Sequence, residues 1–214
     1  MGVRSGVWAI VVAGGSGVRF GGPKQFEVLA GRRIVDRSVS AARSVAAGVV
    51  LVVPDVSAET CSGAVPGVDV VVPGGASRSA SVRSGLAAVP EAATIVVVHD
   101  AVRPLAASEL FERVVVAVEA GADAAVPGVP VTDTVRRRGG GTLDRTELVL
   151  VQTPQAFSAA RLRAAHADGR EATDDAALVE EAGGSVVVVE GDPANLKITR
   201  PEDLHLAAAL LSGP

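Results

Sequence analysis

Residues 7–17 read Val7-Trp8-Ala9-Ile10-Val11-Val12-Ala13-Gly14-Gly15-Ser16-Gly17, an apolar run that breaks into a glycine cluster. A run apolar at nearly every position suits a strand covered on both faces, as in a mostly parallel sheet. The same kind of run returns at Val49–Val53, Val68–Val72, Thr94–His99, Ala122–Pro127 and Ser185–Glu190. Between these runs lie segments with helical spacing: Arg33–Val45, Ser77–Val89, Ser108–Ala120, Ala159–Ala167 and Thr173–Ala182. Strand and helix in alternation predict an α/β fold, an open and mostly parallel sheet between helical layers. A last helix is announced by Thr199-Arg200-Pro201-Glu202, which reads as a capping box with proline in the first turn.

Composition bounds what such a sheet can be doing. A chain of 214 residues with no Pro-, Ser- or charge-rich linker predicts one domain over residues 1–214. Hydrophobic residues are 48% and charged residues 21%, a globular balance that excludes long disorder. A formal charge of −4 excludes a nucleic-acid binder driven by overall basicity, though not a local anion site. Aromatics at 2%, with no Tyr, also argue against base-stacking platforms. The single cysteine, Cys61, excludes an intramolecular disulfide or a Cys-cluster metal site and fits a reducing cytoplasm. His99, His166 and His205 show no metal-ligand spacing. The apolar runs fall far short of the roughly 20 residues that span a bilayer. Val7–Ala13 leads into glycines and a charged loop rather than a small-residue cleavage site, so it reads as a strand and not a secretion signal.

One stretch fits the alternation badly. Val131–Leu148 carries Arg136-Arg137-Arg138 and then Gly139-Gly140-Gly141, with little to bury. Two short polar strands around a glycine turn would make a hairpin arm, which without a core of its own needs a partner surface. The alternative is a mobile surface loop.

Candidate chemistry begins at the glycine cluster. Glycines let a backbone turn tightly and aim N–H groups at one anion. No Gly-Lys-Ser/Thr closes the loop as a Walker A would, and Phe20 stands where a dinucleotide fingerprint needs Gly or Ala. Arg19 and Lys24 add two cations and favour a nucleoside triphosphate over a structural turn. Only two of the 20 basic residues are lysine, Lys24 and Lys197. In so Arg-biased a chain, both read as positions where a planar guanidinium does not replace a compact ammonium, chance survival of two surface lysines being the alternative. His99-Asp100-Ala101-Val102-Arg103-Pro104 ends the fourth strand, where ligands of open α/β sheets bind, so Asp100 and Arg103 are placed to meet one. The competing reading is local: Asp100 satisfying turn N–H groups, with Arg103 as its ion-pair partner. His99 reads as a packed strand-end residue, and Thr173-Asp174-Asp175 as a helix start.

Taken together these segments resemble the 2-C-methyl-D-erythritol 4-phosphate cytidylyltransferases of the non-mevalonate isoprenoid pathway. The matching blocks are Ala13–Arg19 with Pro23-Lys24-Gln25, Gly74-Gly75 through Ser81-Val82, and His99–Pro104. They continue with Asp133-Thr134, Arg145 with Thr153-Pro154-Gln155, Thr173-Asp174-Asp175, and Asn195–Thr199 with Pro201 and Asp203-Leu204. They keep the family's order over nearly the whole chain. The loop between Arg19 and Lys24 and the stretch between Asp133 and Arg145 are both shorter than is usual there.

The resemblance implies a three-layer α/β/α sandwich of the nucleotide-diphospho-sugar transferase type, with 131–148 as a projecting dimerisation arm. It implies a cytoplasmic homodimer that transfers CMP from CTP to 2-C-methyl-D-erythritol 4-phosphate with Mg2+, carried mainly by the CTP phosphates. Arg19, Lys24, Arg145 and Lys197 would be the catalytic cations. Ala13, Gly14, Gly15, Gly17, Gly75, Ser81 and Asp100 would bind the nucleotide. Arg103, Thr134 and Thr173 would bind the polyol phosphate, with Thr134 and Arg145 reaching the neighbouring subunit's substrate. No dedicated protein metal site, nucleic acid or membrane enters this reading. The nearest alternative is a cytidylyltransferase for another polyol phosphate such as ribitol 5-phosphate. An alternative from another class is a dinucleotide-binding oxidoreductase, against which the missing third glycine and the two loop cations count.

Overall fold

The first apolar run becomes β1 (Arg4–Val12), and its central position follows from its burial on both faces. In a computed structural model describing residues 2–15, 17, 20–54 and 65–212, β1 pairs in parallel with β4 (Ala46–Val53) on one side. On the other side it pairs in parallel with β6 (Ile95–Asp100), so Val11 lies between Leu51 and His99. With β5 (Val70–Pro73), β7 (Ala124–Pro130), β9 (Gln155–Ser158) and β10 (Val186–Glu190), the sheet runs β10-β7-β9-β6-β1-β4-β5. An eighth strand, β8 (Val149–Val151), pairs with β7. Strand β9 runs antiparallel to both β6 and β7, and the other six strands of this order are parallel. The expected open, mostly parallel α/β architecture is therefore present.

Period-two alternation divides the core in two. Ala9, Val11, Val49, Leu51 and Val97 face one layer, α1 (Ile34–Arg43) and α3 (Ser108–Glu119). Ile10, Val50, Val52, Val96 and Val98 face the other, α2 (Arg78–Ala88), α4 (Ala159–His166) and α5 (Asp175–Glu181). Each such Val, Leu or Ile contributes about 1.5–3 kcal/mol by leaving water. Helix α2 lies so close to the sheet that a Cβ on Gly85 would sit 2.6 Å from Ile10 Cγ2, which is why a glycine occupies mid-helix. A third cluster of Leu29, Ile34, Ile198 and Ala207 packs α6 (Glu202–Ser212) beside a small hairpin, β2 (Val28–Leu29) with β3 (Arg32–Arg33). Among the described residues no helix is long and apolar enough to cross a membrane.

Four details differ from the sequence expectations. The start of α6 is capped by Asp203 rather than Glu202: its Oδ2 accepts from the N–H groups of Thr199 at 2.7 Å and Arg200 at 2.8 Å. Strand β10 is an edge, so Val188 is 55% exposed although its all-valine run suggested two covered faces. Strands β8 and β9 were not anticipated; β9 offers only Ala156-Phe157 as an apolar signal between polar ends. In 131–148 the two expected strands reduce to one antiparallel bridge, Arg136 with Thr142, around the glycine turn. Two backbone bonds support it, Arg137 N–H to Gly141 O and Leu143 N–H to Val135 O. Arg19 and Cys61 lie outside the described residues.

Candidate active site

Strands β5, β4, β1 and β6 point the same way, so the segments that follow three of them meet at one edge of the sheet. From β1 comes Ala13-Gly14-Gly15, anchored by Ala13 N–H to Val52 O at 2.7 Å. Buried Gln25 ties this loop down from the side, its Nε2 donating to Ala13 O at 2.8 Å. Gly17 has φ +67°, and a Cβ there would lie 1.7 Å from Gly22 O, so the loop closes only on glycine. From β5 comes Gly74-Gly75, where Gly75 N–H donates to the Ser81 hydroxyl at 3.1 Å. Ser81 Oγ donates to Ser77 O at 2.8 Å, and Ser77 caps α2 by accepting from Ala80 N–H. From β6 comes Asp100.

These segments line a cavity of about 550 Å³. Around it stand Ala13, Gly14, Gly15, Gly17, Lys24, Gly75, Ser81, Asp100 and Lys197, all anticipated from the sequence. Lys24 Nζ is 3.5 Å from Thr199 O and 6.0 Å from the Phe20 ring centroid. Lys197 Nζ donates to Asp100 Oδ2 at 2.7 Å. Its segment is docked on the turn after β6 by Ile198 N–H to Val102 O and on the approach to β9 by buried Asn195, whose Nδ2 donates to Thr153 O at 2.9 Å.

Asp100 is nearly buried, and its electrostatics decide the character of the cleft. Burial pushes the carboxyl up, but the charges of Arg78 and Lys197, with Arg103 behind them, outweigh it and hold the group well below the usual carboxylate range. Asp100 is therefore an anion flanked by cations, but its ion-pair partners are Lys197 and Arg78, whose Nε stands at 3.5 Å, and not the Arg103 of the local reading. His99 is fully buried against Phe111, with ring centroids 4.9 Å apart, and its Nδ1 is 3.2 Å from Thr153 Oγ1. Burial pushes its pKa down to about 4, so it is a neutral packing residue at pH 7, as the sequence suggested.

A smaller cavity of about 220 Å³ adjoins the first, with Arg103, Thr173, Gln152, Thr153 and Gln155 in its wall. Arg103 donates to Asn195 O at 2.8 Å, and its Nε is buried without a hydrogen-bond partner among the described residues. Asp174, not Thr173, caps α5, accepting from Ala177 N–H at 3.0 Å, which leaves Thr173 to the cavity wall. Arg78, Asp100 and Lys197 line both cavities. Arg78 was not singled out from the sequence; its only signal is its place in the first turn of the helix after the Gly74-Gly75 block. Thr134 and Arg145 line neither cavity. Thr134 is exposed, and Arg145, in a short 3-10 turn, donates to Thr132 O.

The sequence matches the family model "2-C-methyl-D-erythritol 4-phosphate cytidylyltransferase" over residues 7–213. It is 45% identical to the 2-C-methyl-D-erythritol 4-phosphate cytidylyltransferase of Nocardia farcinica, over 96% of this chain and 94% of that protein. It is also 45% identical to a bifunctional enzyme IspD/IspF of Clavibacter michiganensis, and spans 55% of that longer protein. Among solved structures, that of 2-C-methyl-D-erythritol 4-phosphate cytidylyltransferase from Thermus thermophilus superposes with a TM-score of 0.80 at 38% identity, covering 95% of this chain and 98% of that one. A synthase of 4-diphosphocytidyl-2C-methyl-D-erythritol from Anaerococcus prevotii gives 0.84 at 27% identity, covering 97% and 99%.

Proposed function

The chain belongs to the 2-C-methyl-D-erythritol 4-phosphate cytidylyltransferase family, and from that premise we propose that it transfers CMP from CTP to 2-C-methyl-D-erythritol 4-phosphate, releasing pyrophosphate. The observation that carries the reading is the pair of adjoining cavities that share Arg78, Asp100 and Lys197. Two phosphorylated substrates that must react with each other need two such compartments with cations at the junction.

A phosphate monoester has its second pKa near 6, so the acceptor is already largely dianionic at neutral pH. It needs no general base. One of its oxygens attacks the α-phosphorus of CTP, the bond from that phosphorus to the β-phosphate oxygen breaks, and pyrophosphate leaves. The protein's task is to bring anions together and to stabilise the charge that builds between them. Lys24 and Lys197 take the nucleotide phosphates, together with Arg19 of the glycine loop; that both lysines line the larger cavity supports these roles. Ala13, Gly14, Gly15, Gly17, Gly75 and Ser81 shape the nucleotide pocket, and Arg103 and Thr173 hold the acceptor phosphate. The buried Nε of Arg103 is a donor that such a phosphate would satisfy.

Among the described residues no group of three or more His, Cys, Asp or Glu is gathered to cage a metal, and Asp100 is the one carboxylate among those lining the larger cavity. That donor set fits Mg2+, which binds through one or two carboxylates plus substrate phosphates. Asp100 would hold it beside the triphosphate, where the ion supplies charge neutralisation.

The reading extends to a cytoplasmic homodimer in which 131–148 packs on the second subunit and presents Thr134 and Arg145 to its site. Exposed Leu150 and Val151 beside that segment support it, because a lone arm has no apolar partner of its own. The test is pyrophosphate release with CTP, ATP, GTP and UTP against 2-C-methyl-D-erythritol 4-phosphate and ribitol 5-phosphate, with and without Mg2+. CTP with the methylerythritol phosphate should be the fast pair. Equal turnover of GTP would remove the pocket assignment, and faster ribitol phosphate would change the acceptor.

A further inference from the structure

One chain of polar side chains lies largely outside the residues assigned above. Asp175, in the first turn of α5, is fully buried, and both its oxygens are used. Oδ1 lies 3.0 Å from His166 Nε2, and Oδ2 accepts from Arg78 at 2.7 Å. His166, the last residue of α4, is itself 3% exposed. Arg78 reaches on to Asp100 Oδ1 at 3.5 Å, and Asp100 Oδ2 meets Lys197 at 2.7 Å. Three elements that pack on one face of the sheet, α2, α4 and α5, thus meet through a chain of polar side chains that ends at the junction of the two cavities.

Packing alone does not account for this arrangement. A buried carboxylate costs stability unless it is paired, and well-packed apolar side chains join helices as well or better. A fixed carboxylate does one thing an apolar contact cannot: it sets the direction of a guanidinium, whose donors form a rigid planar fork. Unanchored, Arg78 could swing toward Asp100 alone or out into solvent.

We propose that Asp175, held by His166, is a positioning residue for the transfer reaction: it fixes the Arg78 guanidinium at the junction where the acceptor phosphate meets the nucleotide phosphates. The proposal rests on the transfer reading above and adds Arg78 as a contact at its reacting centre. Asp175 and His166 touch no substrate and act through Arg78.

The experiment is a double-mutant cycle on kcat with Asp175→Asn and Arg78→Ala, with melting temperatures taken alongside. Asp175→Asn keeps the shape and a hydrogen bond to His166 but removes the charge that orients Arg78. Its kcat should fall by about 10- to 10²-fold, the scale of a displacement of roughly 1 Å at a reacting centre. In the Arg78→Ala background the same change should cost nothing further. A merely structural Asp175 would lower the melting temperature and multiply with Arg78→Ala, and that result overturns the proposal. So does a folded Asp175→Asn enzyme with kcat within about twofold of wild type. Should Asp175→Asn fail to fold, His166→Gln enters the same cycle and should show the same non-additivity with a smaller loss.

A second readout needs no turnover. The Arg78 Nε–H signal in ¹H–¹⁵N spectra, assigned by its disappearance in Arg78→Lys, should be distinct in wild type. In Asp175→Asn it should move toward the position of solvent-exposed arginines. An unchanged signal overturns the proposal even if wild type shows no turnover of CTP, an outcome that would remove the transfer reading instead.

Discussion

Lys197→Ala tests the cleft most directly, because its two consequences separate. The pair with Asp100 is short, 2.7 Å, and at an effective dielectric of about 20 its gross Coulomb attraction is about 6 kcal/mol. Little of that reaches stability. The lysine side chain is 42% exposed and screened, and Arg78 stays beside the carboxylate after the truncation. The net loss should be about 1 kcal/mol, a fall of about 2–4 °C in melting temperature for a chain of this size. Turnover should respond far more. With Lys197 gone, the charge building between the two phosphates loses a preorganised partner. Loss of one such partner costs about 2.7–4 kcal/mol of barrier, roughly 10²- to 10³-fold in kcat. Lys197→Arg should recover little, since a planar fork does not occupy the place of an ammonium. The assay is steady-state pyrophosphate release with calorimetric melting on the same preparations. Near-normal kcat in Lys197→Ala would return this lysine to surface charge.

Three further outcomes follow from other parts of the molecule. Because burial lowers the His99 pKa to about 4 from an ordinary 6.5, the unfolded chain binds the proton first as pH falls. His99 should therefore cost stability between about pH 6.5 and 4, by roughly 3 kcal/mol in all; urea melts should show this slope reduced in His99→Gln, and an unchanged slope refutes the assignment. Gln25→Leu should cost about 1–3 kcal/mol by leaving Ala13 O without its donor and should raise KM for CTP more than for the acceptor, whereas equal effects on both would show that the bond does not position the glycine loop. Arg145→Ala mixed with Lys24→Ala should regenerate activity if Arg145 serves the neighbouring subunit, since one site of each mixed dimer is then intact; mixed dimers shown by mass spectrometry but inactive would place Arg145's action in its own chain or nowhere.

The sheet was legible because its central strands β4 and β6 are buried on both faces, so Val-rich runs such as Val49–Val53 carry a signal that survives without context. Strand β9 was not, because it is held by its neighbours rather than by its own residues. Only Ala156 and Phe157 are apolar, and β6 and β7 supply the pairing on either side. The glycine loop and Asp100 stood out by residue type at the ends of strands, and the two lysines by their rarity among arginines. Arg78 did not, being one arginine among many. What distinguishes it is a buried carboxylate 97 positions away, and long-range pairing of that kind leaves no mark in local sequence.

The lysines bear on why a chain of net charge −4 can gather phosphates at all. Arginine supplies nearly all of its positive charge, and much of that is spent on ion pairs away from the cleft such as Arg33 with Asp36 and Arg43 with Asp69. Both lysines, 173 positions apart in sequence, line the same cavity. A surface drift from lysine to arginine would have no reason to spare two residues that meet only in the folded chain. A physical requirement would spare them: an ammonium is compact and rotates its three donors freely, so it can follow a phosphate oxygen as geometry at phosphorus changes, whereas a fork is committed to one plane. On this argument Lys24→Arg, like Lys197→Arg, should retain most of its nucleotide affinity and lose turnover. If Lys24→Arg instead keeps full kcat, the pairing of the two lysines at one cleft reflects charge alone.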